Sequence, residues 1–358
     1  MHLKPLVLTF FAAPLAAQAV VTPAHFTNAE ANTWWNVGFG ESSAPTRFLQ
    51  ILEELQGSPR TINAVSLRRD GANPGTAQSP AHSVLANIFV SSAVRGANTP
   101  DAIFDNNHGG DKAQVGAFHL ISLPAVDYKG FRGPFDYRFP FAQPFSFAGT
   151  APLCVEYQIT SRTTNVTINY DWASGTNTNP GASTRSFGTG CKATGRTSAM
   201  TITGSSSGNW AQNSMSFSWS GSQMTPNSVG FLALGFDNTN WAGLPLPFEL
   251  PGTASAPSGA CRIYTSVLLS IPALTTASGG LSANFGFNVN TSFNGASMFS
   301  QYMLPDVAAN PWGFVLSNGV EHHIVAPWTR LPIGCVRASS LAASGTVAAN
   351  QGYVMRID

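Results

Sequence analysis

The loop 101–111 is the part of the sequence richest in oxygen-bearing side chains. Asp105, Asn107 and Asp111 stand at odd-numbered positions within it, and Gly109–Gly110 lies between the last two. Ca²⁺ prefers carboxylate and amide oxygens, and glycine permits the tight turn that coordination needs. The spacing therefore predicts a calcium site, although it differs from that of an EF-hand loop. The alternative is an ordinary loop whose Asp and Asn side chains bond their own backbone.

Four cysteines, Cys154, Cys191, Cys261 and Cys335, are the next candidates for chemistry. In an exported chain they are expected to be oxidised, and four cysteines allow three pairings. We favour Cys191–Cys261 and Cys154–Cys335. In the chain-entropy model, each large loop closure contributes roughly 4–5 kcal/mol. Metal binding is the rival interpretation, but the sequence has no Cys-x-x-Cys and no histidine at ligand spacing from a cysteine.

Two short motifs resemble catalytic patterns. Gly204–Gly208 has the Gly-x-Ser-x-Gly spacing of serine hydrolases, but it lacks the strand and helix that form a nucleophile elbow. Glu321-His322-His323 groups a carboxylate with two imidazoles. On a strand, the two histidines face opposite sides, and Glu321 and His323 share a face. The alternative there is a solvated edge strand. The carboxylates considered for acid–base work are scattered: Glu53, Glu54, Asp127, Asp136, Glu156, Asp171 and Glu249.

The segment 131–147 is rich in aromatic residues. Exposed rings in a secreted β protein can stack on sugar rings. Strand alternation instead places Phe135, Tyr137, Phe139 and Phe141 on one face. We therefore expect these four side chains to pack in a core.

These candidates must be positioned by strands, because the sequence punctuates short β-type runs with Gly, Pro and Asn. In the first half the predicted strands are 61–68, 84–90, 114–123, 137–141, 154–160 and 166–172. In the second half they are 199–202, 214–219, 229–236, 262–271, 281–289, 296–303 and 312–316. Residues 47–55 have apolar spacing typical of one helical face, although a strand start there is also possible. Ser317-Asn318-Gly319 predicts a turn closing a hairpin between 313–316 and 320–325.

Composition excludes several classes of function. Only 10% of the 358 residues are charged and the formal net charge is +1. A nucleic-acid partner would require a basic stripe, and a membrane-surface protein would require clustered Lys and Arg beside an apolar face. The densest basic run is Arg68-Arg69. We therefore expect neither kind of partner.

The N-terminus has the pattern of a signal peptide. A short region containing Lys4 precedes the apolar stretch Pro5–Ala16, and Ala17-Gln18-Ala19 has the small-x-small form of a cleavage site. We predict a mature chain that begins at Val20. No later window approaches the roughly 18 apolar residues of a transmembrane helix. The protein is therefore expected to be secreted or held at the cell surface.

The strand pattern predicts an all-β protein with two antiparallel β-sandwich domains, jelly-roll-like, in tandem. Their predicted boundaries are a signal peptide at 1–19, the first domain at 20–173, a Gly/Asn/Thr-rich linker at 174–186, the second domain at 187–328 and a tail at 329–358.

The stretch from Phe187 to about Val325 contains the segments Gly188-Thr189-Gly190-Cys191, Leu232–Gly235, Leu244–Pro247, Gly259-Ala260-Cys261 and Gly313–Glu321. Through these segments it resembles a C-terminal domain of secreted two-domain β proteins from planctomycete-type bacteria. The first domain is similar to the one that often precedes it, through Arg47–Gln50, Leu67–Gly71 and Asn107–Asp111. The segment after Pro327 departs from this pattern. The resemblance implies architecture and export, but no activity.

Together these features favour a non-catalytic extracellular protein with a structural, adhesive or carbohydrate-binding role. Its expected partner is an extracellular glycan or a component of the cell envelope. The alternative is a secreted hydrolase that acts on polysaccharide with paired carboxylates.

Overall fold

The computed structural model describes residues 19–36, 45–72, 78–127, 130–131, 133–163 and 166–358. The predicted signal peptide, apart from Ala19, lies outside these residues. The protein is all-β: the described residues contain no helix of seven or more residues. Five short 3₁₀ helices are present, at Ala24–Phe26, Glu53–Leu55, Phe104–Asn107, Trp210–Gln212 and Thr291–Phe293.

The strands of the first half are β1 (Val20–Thr22), β2 (Thr33–Trp35), β3 (Thr46–Leu52), β4 (Arg60–Leu67), β5 (Gln78–Ser79), β6 (His82–Ser92), β7 (Ala113–Leu123), β8 (Val126–Asp127), β9 (Tyr137–Phe147), β10 (Leu153–Arg162) and β11 (Tyr170–Ser174). Next come β12 (Ala182–Phe187), β13 (Thr201–Asn209), β14 (Ser214–Ser222), β15 (Val229–Gly235), β16 (Asn240–Trp241), β17 (Leu244–Pro245), β18 (Phe248–Glu249), β19 (Arg262–Ile263) and β20 (Leu269–Leu274). The last are β21 (Leu281–Asn288), β22 (Ser297–Pro305), β23 (Phe314–Ile324), β24 (Ile333–Ala338), β25 (Thr346–Ala349), β26 (Gln351–Tyr353) and β27 (Met355–Ile357).

The sheets divide the strands into two sets. A six-stranded sheet has the order β25-β24-β3-β10-β6-β7, a four-stranded sheet β1-β27-β4-β9 and a three-stranded sheet β2-β11-β26. The second set comprises a five-stranded sheet, β12-β23-β22-β15-β20, and a three-stranded sheet, β13-β14-β21. Strands pair antiparallel in all of these sheets. Two large clusters of buried apolar side chains follow the same division.

The two sets are nested along the chain. We call residues 182–326 the inserted segment, and residues 20–174 with 327–358 the outer unit. The backbones of Asn177 and Trp328 pair through reciprocal hydrogen bonds of 2.9 and 2.8 Å. The chain therefore enters and leaves the inserted segment at adjacent positions.

The predicted tail and linker differ from the observed structure. Residues 329–358 form β24–β27, where β24 pairs with β3 and β27 lies between β1 and β4. Within the predicted linker 174–186, β12 pairs with β23. A sequence of mixed composition does not reveal such long-range pairing, because the partner strands lie far away along the chain.

The predicted helix at 47–55 is wrong. β3 occupies residues 46–52 and is buried along its whole length. It lies between β10 and β24, and both of its faces contact apolar clusters. Its apolar residues Phe48, Leu49, Ile51 and Leu52 face both sides of the sheet, and this spacing also matches one face of a helix.

The predicted hairpin at 313–325 is wrong as well. β23 runs without a break from Phe314 to Ile324. The Asn318 side chain bonds both Ile202 N and Ile202 O, at 2.7 and 3.0 Å. Gly319 lies opposite Phe187, whose ring comes within 2.5 Å of where a Cβ would be. The Asn-Gly pair thus serves packing within a strand instead of a turn.

One predicted disulfide is present and the other is not. Cys191 and Cys261 are bonded, with their Cα atoms 5.1 Å apart. Cys154 and Cys335 are free and buried. They belong to β10 and β24, which are separated by β3, so their Cα atoms are about 10 Å apart at the usual strand spacing. They also face opposite sides of the sheet, since Cys154 pairs with Ile51 and Cys335 with Gln50. The Cys154–Cys335 prediction is therefore wrong.

The aromatic segment packs as predicted. Tyr137 and Phe139 are fully buried, and the partly buried Phe135 and Phe141 pack against the same cluster.

Candidate functional site

The loop predicted to bind calcium is ordered by its own hydrogen bonds. Asn107 is fully buried, and its Oδ1 accepts from Asp101 N at 2.8 Å. Its Nδ2 donates to the carbonyl oxygens of Asp101, Ile103 and Phe104. The Asn107 amide thus closes the 3₁₀ turn at Phe104–Asn107, which is the role that the loop interpretation assigns to such side chains.

The two aspartates of the loop have separate partners. Asp105 accepts from Lys112 Nζ at 2.7 Å and lies 3.4 Å from Arg47 Nη2, and its side chain is 68% exposed. Lys112 lowers the pKa of the Asp105 carboxyl by a hydrogen bond. Asp111 accepts from the backbone N and the Oγ of Ser92, at 2.9 and 2.8 Å. Each of the three predicted ligands thus has a partner within the protein, and calcium binding stays a prediction.

A buried polar chain of hydroxyl, imidazole and carboxylate lies beneath this loop. Ser91 Oγ is 2.7 Å from His108 Nδ1, and His108 Nε2 is 2.8 Å from Glu156 Oε2. Arg47 Nε donates to Glu156 Oε1 at 2.7 Å. The Cys154 thiol, opposite Ser91 on the neighbouring strand, hydrogen-bonds Ser91. The order of groups is that of an activated nucleophile, but Ser91 and Cys154 have no exposed surface.

The charge on Glu156 determines which groups donate and which accept in the Ser91–His108–Glu156 hydrogen-bond series. Burial opposes ionisation of this carboxyl, but hydrogen bonds from His108, Arg47 and Gln158 outweigh it and lower the pKa of Glu156 to about 2. An ionised carboxylate only accepts hydrogen bonds. Nε2 of His108 therefore carries a proton, and in the neutral ring Nδ1 accepts from Ser91. Burial raises the pKa of the Cys154 thiol well above its usual value, so this thiol is not a nucleophile in the folded protein.

A second buried cluster contains three carboxylates. One ligand oxygen from each of Glu30, Asp70 and Asp171 lies within 4.8 Å of the others, and all three residues are buried. Arg68 Nε donates to Asp171 Oδ2 at 2.7 Å. Gly71 N donates to Glu30 Oε1. Oxygen donors at this spacing suit a hard cation, and Arg68 supplies one positive charge to the cluster.

The pKa values in this cluster are shifted upward. Burial, followed by the Asp171 charge, raises the pKa of Glu30 well above its usual value. Burial also raises the pKa of Asp171, although Arg68 opposes that shift. Like charges held together in a poorly solvated site favour protonation of one of them. This cluster is therefore the part of the described structure best suited to hold a proton or a cation.

The Glu321-His322-His323 segment lies on β23, which is flanked by β12 and β22 and is not an edge strand. The two histidines face opposite sides, as the strand period predicts. Ser297 Oγ bonds Glu321 Oε1 at 2.8 Å and His323 Nδ1 at 2.9 Å. Glu321 also accepts from Arg185 at 2.7 Å. His322 is fully buried on the other face, between Phe217 and Trp219.

The Gly-x-Ser-x-Gly motif has no elbow geometry. All of Gly204–Gly208 lies within the extended strand β13, which pairs with β14 in unbroken register. Ser206 Oγ donates to Ala182 O at 2.8 Å and accepts from Ala182 N at 2.7 Å. This serine joins the two sheets of the inserted segment.

Sequence reasoning missed Glu30, Arg68, Asp70 and His108 as members of polar clusters. Arg68-Arg69-Asp70 did give a signal, because three charged residues follow directly on the apolar strand β4. The other carboxylates of the cluster, Glu30 and Asp171, lie far from Asp70 in the sequence, and only the fold brings them close.

Comparison with known proteins gives no match: no family model, curated protein or solved structure is similar to this chain. In the described part of the chain, no helix has the length and apolar character needed to cross a bilayer.

Proposed function

We propose that this is an exported, non-catalytic protein that adheres to cell-surface or envelope material. The observation that carries the proposal is an exposed apolar strip on β15 and β20 of the inserted segment. It consists of Val229 and Phe231 on β15 and of Pro272 and Leu274 on β20. Val229 is 55% exposed, Phe231 40% and Leu274 63%.

The strip is continuous because its members are cross-strand neighbours. Val229 pairs with Leu274 and Phe231 pairs with Pro272, so their side chains share the outer face of the sheet. Phe231 also pairs with Met303 on β22, which extends the apolar surface inward. Contiguous exposed apolar surface of this kind marks interaction sites in folded proteins.

β20 stands at the end of its sheet, and edge strands are places where partners attach. Pro272 lacks a backbone N–H and limits pairing along this edge. The geometry therefore favours attachment through side chains of the outer face. Two further parts of the proposal, export and a glycan or envelope partner, rest on the sequence alone. The resemblance to planctomycete-type proteins is likewise part of the proposal.

The test is co-sedimentation of the mature chain with isolated envelope material and with insoluble polysaccharide. Val229→Ser combined with Leu274→Ser should reduce retention at least severalfold. Val307→Ser, at a residue 89% exposed outside the strip, should retain wild-type binding. Equal retention of both variants, or no retention of the wild type, refutes adhesion through the strip. Mass spectrometry of the exported chain should find Val20 at its N-terminus.

The alternative function, polysaccharide hydrolysis, draws on Glu30, Asp70 and Asp171. The raised pKa values of Glu30 and Asp171 suit a general acid. These carboxylates are buried, whereas the strip is exposed, so we place adhesion first. Release of reducing sugar by the wild type, lost in Asp171→Asn while the fold persists, would reverse this order.

A further inference from the structure

A cavity of about 550 Å³ lies on the outer face of the five-stranded sheet. Ala233 of β15, Met303 of β22 and Leu316 of β23 line it from the sheet, and Trp241 of β16 and the loop residue Trp312 line it from outside that sheet. An engineered apolar cavity of about 150 Å³ holds a benzene ring. The cavity in this protein has room for a considerably longer hydrocarbon.

The side chains of Gln301 and Thr265, which line the cavity, are already bonded within the protein. Gln301 Nε2 donates to Arg262 O and Ser317 O, both at 2.7 Å, and its Oε1 accepts from Tyr264 N at 3.0 Å. Thr265 Oγ1 donates to Ser266 O at 3.0 Å. A sugar hydroxyl or a peptide N–H placed inside would lose its water and find these two side chains already engaged, which is unfavourable.

The mouth of the cavity is apolar as well. Trp312 and Leu244 line the cavity and remain 46% and 41% exposed. The indole N–H of Trp312 donates to Pro251 O at 2.9 Å, so this N–H is satisfied within the protein. A chain entering here would bury methylene groups along its length and leave a polar end in water.

From this lining we propose that the cavity binds the acyl chain of an amphiphile, with the head group outside. Each buried methylene contributes favourably to binding, and the described residues that line the cavity include no charged side chain to select a head group. The selectivity of the cavity therefore depends on the acyl chain of the ligand. The cavity and the adhesive strip share Met303 on one face of the sheet, so each is tested by substitutions at residues that belong to only one of them.

The experiment uses the tryptophans of the cavity as reporters. Bromine quenches tryptophan fluorescence on contact, so ω-bromoundecanoic acid below its micelle concentration should quench the mature protein saturably, whereas undecanoic acid should not. Trp241→Phe combined with Trp312→Phe should abolish the quenching. These are two of eight tryptophans, so the quenching of the wild type is partial.

Two further variants test the location. Ala233→Phe fills the cavity and should weaken binding about tenfold or more, because it displaces several methylene groups. Leu244→Asp places a carboxylate at the exposed mouth and should have a similar effect without disturbing the core. Val229→Phe, on the strip, is the matched control and should bind as the wild type does. Thermal unfolding identifies any variant that fails to fold.

Vesicles of brominated phosphatidylcholine separate the two sources of acyl chain. Quenching by vesicles assigns the ligand to membrane lipid, and quenching by the free acid alone assigns it to unesterified fatty acid. The inference is overturned if neither probe quenches, if Ala233→Phe and Leu244→Asp bind as tightly as the wild type, or if a second copy of the chain occupies the cavity, shown by dimerisation that Leu244→Asp abolishes.

Discussion

At the scale of single residues, His322 is the most unusual side chain of the inserted segment. It is fully buried, and neither ring nitrogen has a hydrogen-bond partner among the described residues. Its ring contacts Phe217 and Trp219 edge-on. A Cβ at position 204 would lie 2.6 Å from its Cε1, so Gly204 is needed for the close approach. The His322 imidazole is therefore packed among aromatic rings in the way that an apolar side chain would be.

This burial makes stability depend on pH. Burial lowers the pKa of His322 from 6.5 to about 4. Between these values the unfolded chain takes up a proton that the native state excludes, so the free energy of unfolding falls as the pH falls. From pH 7 to pH 4 the loss is about 3 kcal/mol for this group. His322→Phe should remove that part of the slope, measured by urea unfolding across this range.

A matched variant separates titration from packing. His322→Gln cannot titrate but still buries a polar group, so it should flatten the pH dependence and be less stable than His322→Phe at every pH by about 1–3 kcal/mol. If both variants keep the wild-type slope, His322 does not titrate as its burial indicates.

The free cysteines give a second prediction at this scale. Cys154 and Cys335 are buried, and burial raises the pKa of both thiols, that of Cys335 to about 12. Thiolate is the reactive form. A thiol reagent should therefore find no reactive cysteine in the native protein and two after denaturation without reductant. Finding none after denaturation would support the second disulfide instead.

At the scale of elements, the sequence predicted strands better than it predicted their ends. Alternation located β4, β6, β7 and β14 closely, because each has one face in a core and period-two alternation is then visible. β3 and β23 were misjudged for a common reason. Both are buried along almost their whole length, and their polar residues, such as Gln50 of β3 and Asn318 of β23, are buried together with the apolar ones, so no alternation of polar and apolar residues marks these strands.

The cross-link from β23 to β13 can be tested directly. Asn318→Ala would leave the buried N and O of Ile202 without the Asn318 amide and should destabilise the protein by about 1–3 kcal/mol. Thr203→Val is the control, because Thr203 is an exposed residue of the same strand, β13, whose hydroxyl bonds Ser220 at the surface. It should change stability by less than about 0.5 kcal/mol. Equal effects in chemical unfolding would mean that the Asn318 amide does not stabilise β23.

At the scale of the whole molecule, the decisive feature is that the C-terminal strands pair with strands from the N-terminal part of the chain. Gln50 of β3 bonds both the N and the O of Tyr353 through its side-chain amide, at 2.9 Å each. β27 completes the sheet between β1 and β4. The sequence did not indicate this closure, since pairing between residues about 300 apart leaves no local pattern. For the same reason the carboxylate cluster of Glu30, Asp70 and Asp171 could not be predicted.

Removal of residues 329–358 tests this closure. The segment includes eight fully buried apolar side chains of the outer unit: Leu331, Ile333, Cys335, Val336, Tyr353, Val354, Met355 and Ile357. At roughly 1.5–3 kcal/mol for each, their burial contributes as much as the whole stability of an ordinary domain. The truncated chain should therefore lose cooperative unfolding of the outer unit, seen as loss of amide-exchange protection in β3 and β4.

A milder change gives the same test in a chain that still folds. Met355→Ala should cost about 2–5 kcal/mol, whereas Val347→Ala, at a residue 39% exposed on β25, should cost much less. A dispensable tail would instead leave the truncated chain and Met355→Ala with wild-type unfolding midpoints. Because β27 is bonded on both sides, to β1 and to β4, its loss also separates β1 from its sheet. The stability of the N-terminal strand is thus set by the last residues of the chain.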